Sequence, residues 1–218
     1  MQCIKDTIKN INIVIGCNIG CSYCYARMNN NRFHTIDDFN KPVFFENKLK
    51  MLDNKRHTAY LLTGQSDLSG WNEEWKDKVF SKMKENENTK YIFLTKRPEN
   101  IKLKETPDNG WFGVTVTSSK EKTRIDYLRN NIKAKHYHIT FEPMFDDVGK
   151  LDLNNISWIV IGTETGNRKG KISSKREWVF NIYNQAKEKN IPVFMKEDLL
   201  PIMGEAQMVQ EFPPAFYR

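Results

Sequence analysis

The run Gly16-Cys17-Asn18-Ile19-Gly20-Cys21-Ser22-Tyr23-Cys24-Tyr25-Ala26-Arg27 gathers three of the chain's four cysteines into one short segment. Thiolates are soft ligands that suit zinc, copper(I) and iron-sulfur clusters, and three on one loop can reach three corners of a cubane while leaving one iron without a protein ligand. Gly16 and Gly20 allow the backbone to wrap closely around such a group. Other chemistries draw on the same residues. Cys21 and Cys24 suit half of a tetrahedral zinc site, which then needs His34 or Cys3 from outside the loop. They also form a Cys-x-x-Cys redox pair, although that leaves Cys17 unexplained. Three inert buried thiols fit a polar, glycine-containing turn poorly. Cys3, far from the loop, reads as a structural or incidental thiol.

Polar residues also follow each of the apolar runs further along the chain: Gly64-Gln65-Ser66-Asp67, Lys96-Arg97, Thr115 to Ser119, Glu142, Glu164 and Lys196-Glu197. Residues at strand exits are polar in part because they lead into loops. In parallel α/β architectures, however, the C-terminal strand edge is also where sites are built. The elements that must position these groups are β-rich runs at Ile11–Ile15, Thr58–Thr63, Tyr91–Thr95, Phe112–Thr117, His136–Phe141, Trp158–Gly162 and Pro192–Met195. Between them, helical patterns cover Val43–Leu52, Glu73–Asn86, Lys120–Lys133 and Ser174–Lys189, the last with Ser173 or Ser174 and Glu177 as a capping signal. The alternation predicts an α/β fold, a partial or incomplete (β/α) TIM-like barrel of parallel strands. Pro98–Asn109 and Asp146–Asn155 leave room for one or two helical turns, so the helix ring is expected to be incomplete. One domain over residues 1–218 is expected, with residues 199–218 as a C-terminal extension folding back over the body. His57, His136 and His138 flank strands and read as packed or exposed side chains rather than ligands.

At 218 residues, 39% hydrophobic and 28% charged, the composition excludes intrinsic disorder and collagen-like repeats. No apolar run approaches the roughly 20 residues of a spanning helix, and the N-terminus lacks the order of a signal peptide, so no membrane association and a reducing cytoplasm are the expectations. Thirty-four Lys and Arg against twenty-seven Asp and Glu give +7, which admits a nucleic-acid partner. The excess is dispersed, with short clusters at Lys169-Gly170-Lys171 and Lys175-Arg176.

The spacing Cys17-x3-Cys21-x2-Cys24, with Tyr23 before the third cysteine and the loop leaving a first strand, resembles the defining motif of the radical S-adenosylmethionine superfamily. The runs Cys24-Tyr25-Ala26, Ser66-Asp67-Leu68, Phe93 to Pro98, Glu142-Pro143 and Gly162-x-Glu164 resemble, in order, a compact branch found in phages and mobile elements, some of whose members are described as radical S-adenosylmethionine mobile-pair proteins. The likeness does not reach the C-terminal extension. It implies that Cys17, Cys21 and Cys24 hold a [4Fe-4S] cluster whose open iron binds S-adenosylmethionine. Reductive cleavage then yields a 5′-deoxyadenosyl radical that abstracts hydrogen from a substrate.

The resemblance also implies roles for other residues. Gly64, Gln65, Ser66 and Asp67 replace a Gly-Gly-Glu type segment near the methionine amine, the glutamate being absent. Lys96 or Arg97 would pair with the methionine carboxylate. Thr115, Thr117 and Ser118 stand where the superfamily contacts the ribose, Tyr23 beside the adenine, and Glu142 and Glu164 toward the cavity, each of the last two equally suited to a structural ion pair. An electron donor is implied, and a paired radical protein is a further expected partner. The contrasting reading is an iron-sulfur or zinc module that binds nucleic acid without radical chemistry.

Overall fold

Parallel strands cannot be joined by tight turns, so each return must pass through a crossover segment lying over the sheet. The computed structural model describes residues 2–54 and 56–217, which leaves Met1, Lys55 and Arg218 of the expected domain range outside the described residues. In chain order its elements are α1 (Ile4–Thr7), β1 (Ile8–Asn10), β2 (Val14–Ile15), α2 (Tyr25–Phe33), β3 (Val43–Phe44), β4 (Ala59–Leu61), α3 (Glu73–Lys84), β5 (Lys90–Thr95), β6 (Gly110–Thr115), α4 (Thr123–Asn131), β7 (His136–Phe141), β8 (Ile156–Ile161), α5 (Arg176–Glu188), β9 (Val193–Met195) and α6 (Leu200–Met203). Seven strands form one all-parallel sheet in the order β1-β4-β5-β6-β7-β8-β9. Because spatial order follows chain order, right-handed crossovers set the helices on one face, and the sheet curls into an open half-barrel with β1 and β9 at its margins.

The outer face is the larger core. Tyr91, Phe93, Phe112, Ile139, Phe141 and Ile159 pack there against Val79, Phe80 and Met83 of α3, Ile125 and Leu128 of α4, and Val179 and Ile182 of α5. On the inner face Ile8, Ala59, Ile92, Trp111, Trp158 and Phe194 form a second apolar layer, closed by Phe212 and Phe216 from the C-terminal segment. That segment returns as expected: Met195 N–H donates to Val209 O (2.7 Å), Glu211 N–H donates to Val193 O (2.8 Å), and Trp158 Nε1 donates to Glu211 O (3.1 Å). Above this layer His138 lies fully buried over Gly113, where an added Cβ would stand 2.4 Å from the imidazole.

Some expectations are corrected. The strand expected at Ile11–Ile15 is divided, with β1 joining the main sheet earlier in the chain and Val14–Ile15 turning away to pair antiparallel with Val43–Phe44. The helix expected at Val43–Leu52 is therefore β3 followed by a 3-10 segment over Glu46–Asp53, because a non-local strand partner overrides the local helical pattern. The helix before β9 begins at Arg176 with Lys175 as its cap, while Ser174 is engaged with Thr163 and the Met144 carbonyl. α2 was not foreseen, since Asn29-Asn30-Asn31 is a weak helix-forming run. The helix ring is incomplete as expected: a single 3-10 turn, Pro98–Asn100, lies between β5 and α-free β6, and no α-helix separates β7 from β8.

Candidate metal centre

The cysteine loop sits at the C-terminal edge of the sheet because its entry is stitched to the continuation of β4. Gly16 bridges Ser66, and Gly16 N–H donates to Gln65 O (2.9 Å). Gly16 has φ +115, and a Cβ there would meet Pro42 Cα at 2.8 Å, so the turn into the loop requires glycine on both counts. Cys17 N–H then donates to Phe39 O (2.6 Å). Arg27 reaches back from α2 to donate to Cys17 O (2.8 Å), with its guanidinium 5.0 Å from the Phe39 ring. Ile15, Ala26, Ile36 and Phe39 make a small core beneath Cys17 and Cys24. The 31–36 turn behind it is held by Asn30, whose amide both donates to and accepts from Ile36.

All three loop cysteines are free thiols of intermediate exposure. Cys24 is the N-cap of α2, its Sγ accepting from Arg27 N–H (3.4 Å). Burial pushes the Cys17 thiol up to about 11, with the neighbouring Asp67, Cys21 and Cys24 acting in the same direction. Without a cation to compensate, this thiol stays protonated at neutral pH. Among the described residues no three His, Cys, Asp or Glu side chains converge on one metal-ion position.

The strand exits beside the loop divide into engaged and available groups. Asp67 is buried and accepts from Ser69 N–H (3.0 Å), Ser69 Oγ (2.7 Å), Thr95 Oγ1 (2.6 Å) and Lys96 N–H (2.8 Å), clasping the exits of β4 and β5 together. Glu164 is likewise buried, gripped by Arg168 Nε (2.5 Å) and Nη2 (2.8 Å), which holds its carboxyl below the usual range. Thr117 gives both its N–H and its hydroxyl to Glu121 (2.7 Å each). Ser66 Oγ accepts from Trp71 Nε1 (3.0 Å), and Ser118 precedes the turn Ser119–Glu121, engaging it through its backbone carbonyl, which accepts from Glu121 N–H (3.0 Å). By contrast, the Gln65 side-chain amide makes no hydrogen bond within the described residues. Lys96 Nζ reaches Thr115 Oγ1 (3.5 Å) and lies 5.9 Å from the Tyr23 ring. Arg97 touches the cysteine loop directly through Asn18 Oδ1 (3.2 Å).

Sequence reasoning allowed Glu142 a structural ion pair but missed its partner at the far side of the mouth. Lys196, after β9, forms an ion pair with Glu142, after β7, across Gly162, where a Cβ would come within 3.1 Å of Glu142 and 3.2 Å of Lys196. Asp198 lies 3.8 Å from Lys196, its carboxyl raised to about 6 chiefly by burial. The loop spans the gap. Tyr23 packs edge-on against Phe145 beyond β7 (5.4 Å), while Tyr25 donates its hydroxyl to Gly64 O beyond β4 (2.5 Å). A groove of about 530 Å³ lined by residues including Lys9, Lys50, His57 and Tyr60 lies beside β1 and takes no part in this edge.

The fold and site thus define an open parallel α/β half-barrel with a three-cysteine loop laid across its C-terminal mouth. The chain belongs to the family described as protein of unknown function (DUF5131), whose model matches residues 2–201. No curated protein matches the sequence. Among solved structures, a spore photoproduct lyase mutant with dinucleoside spore photoproduct matches at 11% identity and a TM-score of 0.45, covering 82% of this chain. The match spans 60% of that longer chain.

Proposed function

We propose that this chain is a radical S-adenosylmethionine enzyme that holds one [4Fe-4S] cluster on Cys17, Cys21 and Cys24. The observation that carries the reading is the set of three free thiols on a single loop pinned to the β4 exit by the Gly16–Ser66 bridge. The donor set fits the group: Cys24 sits at a helix N-terminus, and the half-buried Cys17 thiol, raised to about 11, is one that a bound cation would favour as thiolate. When bound, the cluster supplies the electron for reductive cleavage of S-adenosylmethionine and so for hydrogen abstraction from a substrate.

The chain's own residues orient that cofactor and shelter it. In this reading Gln65 with the Gly64 and Ser66 backbone meets the methionine amine, Arg97 and Lys96 meet its carboxylate, and Tyr23 flanks the adenine. Thr115, Thr117 and Ser118 line the ribose side, with the two threonines fixed by Lys96 and Glu121 respectively. Asp67 and Glu164 act by holding backbone, since their oxygens are already engaged. Glu142 faces the substrate side as part of its pair with Lys196.

The test is iron and sulfide analysis of the anaerobically reconstituted chain, with electron paramagnetic resonance of the reduced protein before and after S-adenosylmethionine. A [4Fe-4S] signal that changes on addition, followed by 5′-deoxyadenosine release with dithionite, is expected. Zinc in place of iron, or a cluster indifferent to the cofactor, overturns the reading.

A further inference from the structure

The loop between β8 and α5 carries a charge density that the proposed chemistry leaves unused. From residue 165 to 176 it holds Arg168, Lys169, Lys171, Lys175 and Arg176 and no Asp or Glu. Its base is fixed from within. Arg168 is turned inward onto buried Glu164 and also donates to the carbonyls of Lys169 (3.3 Å) and Gly170 (3.1 Å). Ile172 N–H donates to Glu164 Oε2 (3.2 Å), and Ser174 N–H donates to Thr163 Oγ1 (3.0 Å). The loop is therefore a preformed strap whose inner cation is neutralised, while Lys169, Lys171, Lys175 and Arg176 are exposed. Nearby carboxylates are outnumbered: Asp146 and the exposed Asp147 keep their charge while accepting from Ser119, Gly149 and Asn181, and Glu177 lies exposed in the first turn of α5.

The strap leaves the same sheet edge as the cysteine loop, between the exits that carry Glu142 and Lys196. That edge also presents apolar surface. On α2, directly after Cys24, Tyr25, Met28 and Phe33 are 52%, 54% and 65% exposed, and the Arg32 guanidinium lies 5.1 Å from the Phe33 ring. Cations strung along a strap suit a polymer with a repeating negative charge better than a single anion, which needs convergent donors. Exposed aromatic faces at the sheet edge that carries a cationic track are what unpaired bases stack on, whereas the bases of a duplex are already stacked within it.

We infer that the strap and the exposed face of α2 form a docking surface for single-stranded nucleic acid at the mouth of the site. The inference does not depend on the cluster, so it is tested on the full chain without reductant or S-adenosylmethionine, by fluorescence anisotropy with a labelled oligodeoxythymidine. Binding should weaken linearly in log–log form with salt. The triple variant Lys169→Gln, Lys171→Gln, Lys175→Gln should lower that slope by about 2 and weaken binding roughly tenfold or more at moderate salt. Phe33→Ala should weaken binding about tenfold while leaving the salt slope unchanged. All four positions are exposed, and circular dichroism with thermal melting verifies that each variant is folded. Four results overturn the proposal: no binding at low salt, an unaltered triple variant, tighter binding of the matching duplex, or displacement by inorganic phosphate or polyglutamate as effective as by unlabelled strand. A negative result here leaves the resonance experiment on the cluster unaffected, and the reverse also holds.

Discussion

At the residue scale, His138 shows how the half-barrel interior sets protonation. Its Nε2 stands 3.1 Å from Phe93 O and so carries the proton, and burial lowers the ring to about 4. The fold accepts only the neutral form. Because the folded value is below the unfolded one of about 6.5, the unfolded chain binds the proton first, and stability is complete above that pH and declines as pH falls toward 4. Urea unfolding should lose about 2 kcal/mol through this group between pH 7 and pH 5, and His138→Gln should remove that part of the decline although it weakens the fold at pH 7. The gathering of Cys17, Cys21 and Cys24 on one loop was legible because it depends on local spacing alone. The partner of Glu142, Lys196, was not, since only the folded sheet brings the two together, and neither was the grip of Arg27 on the Cys17 carbonyl, which depends on the unforeseen α2.

At the element scale, six of the seven strands of the main sheet, β4 to β9, were legible from β-rich runs, whereas β1 and the segment around the cysteine loop were not. Val43 to Leu52 has the apolar spacing of a helix, but Val14–Ile15 needed an antiparallel partner and took Val43–Phe44. That small ribbon, with Pro42 beside it, forms the wall against which Gly16 turns. Gly16→Ala therefore places a Cβ against backbone and forces an L-residue to φ +115. Far-ultraviolet circular dichroism should stay close to that of the parent, because the main sheet lies outside the clash. Iron retained after anaerobic reconstitution should fall several-fold; full retention would show that the loop tolerates a shifted entry.

At the scale of the whole molecule, alternation of strands and helices was enough to anticipate an open parallel half-barrel, and two missing crossover helices were visible as short intervals. What fills the inner face was not, because Phe212 and Phe216 find Trp111, Trp158 and Phe194 only after the sheet has curled. Removing residues 208–218 uncovers this layer, including three large aromatic side chains of the sheet, at a cost of about 1.5–3 kcal/mol for each fully exposed one. A red-shifted tryptophan emission, together with a broadened thermal transition, is the expected outcome, and a truncated chain that melts like the parent would contradict this role.

The order in which the chain is made gives that C-terminal segment a second significance. Translation delivers the cysteine loop before most of the sheet, and Phe212 and Phe216 after every strand they cover. A nascent half-barrel with its strands already paired therefore still exposes the aromatic floor beneath its mouth, a sticky surface open to chaperones or to aggregation. Seating of Phe212 and Phe216 is the event that ends this period, so the aromatic floor is covered only after the strands that carry it have been made.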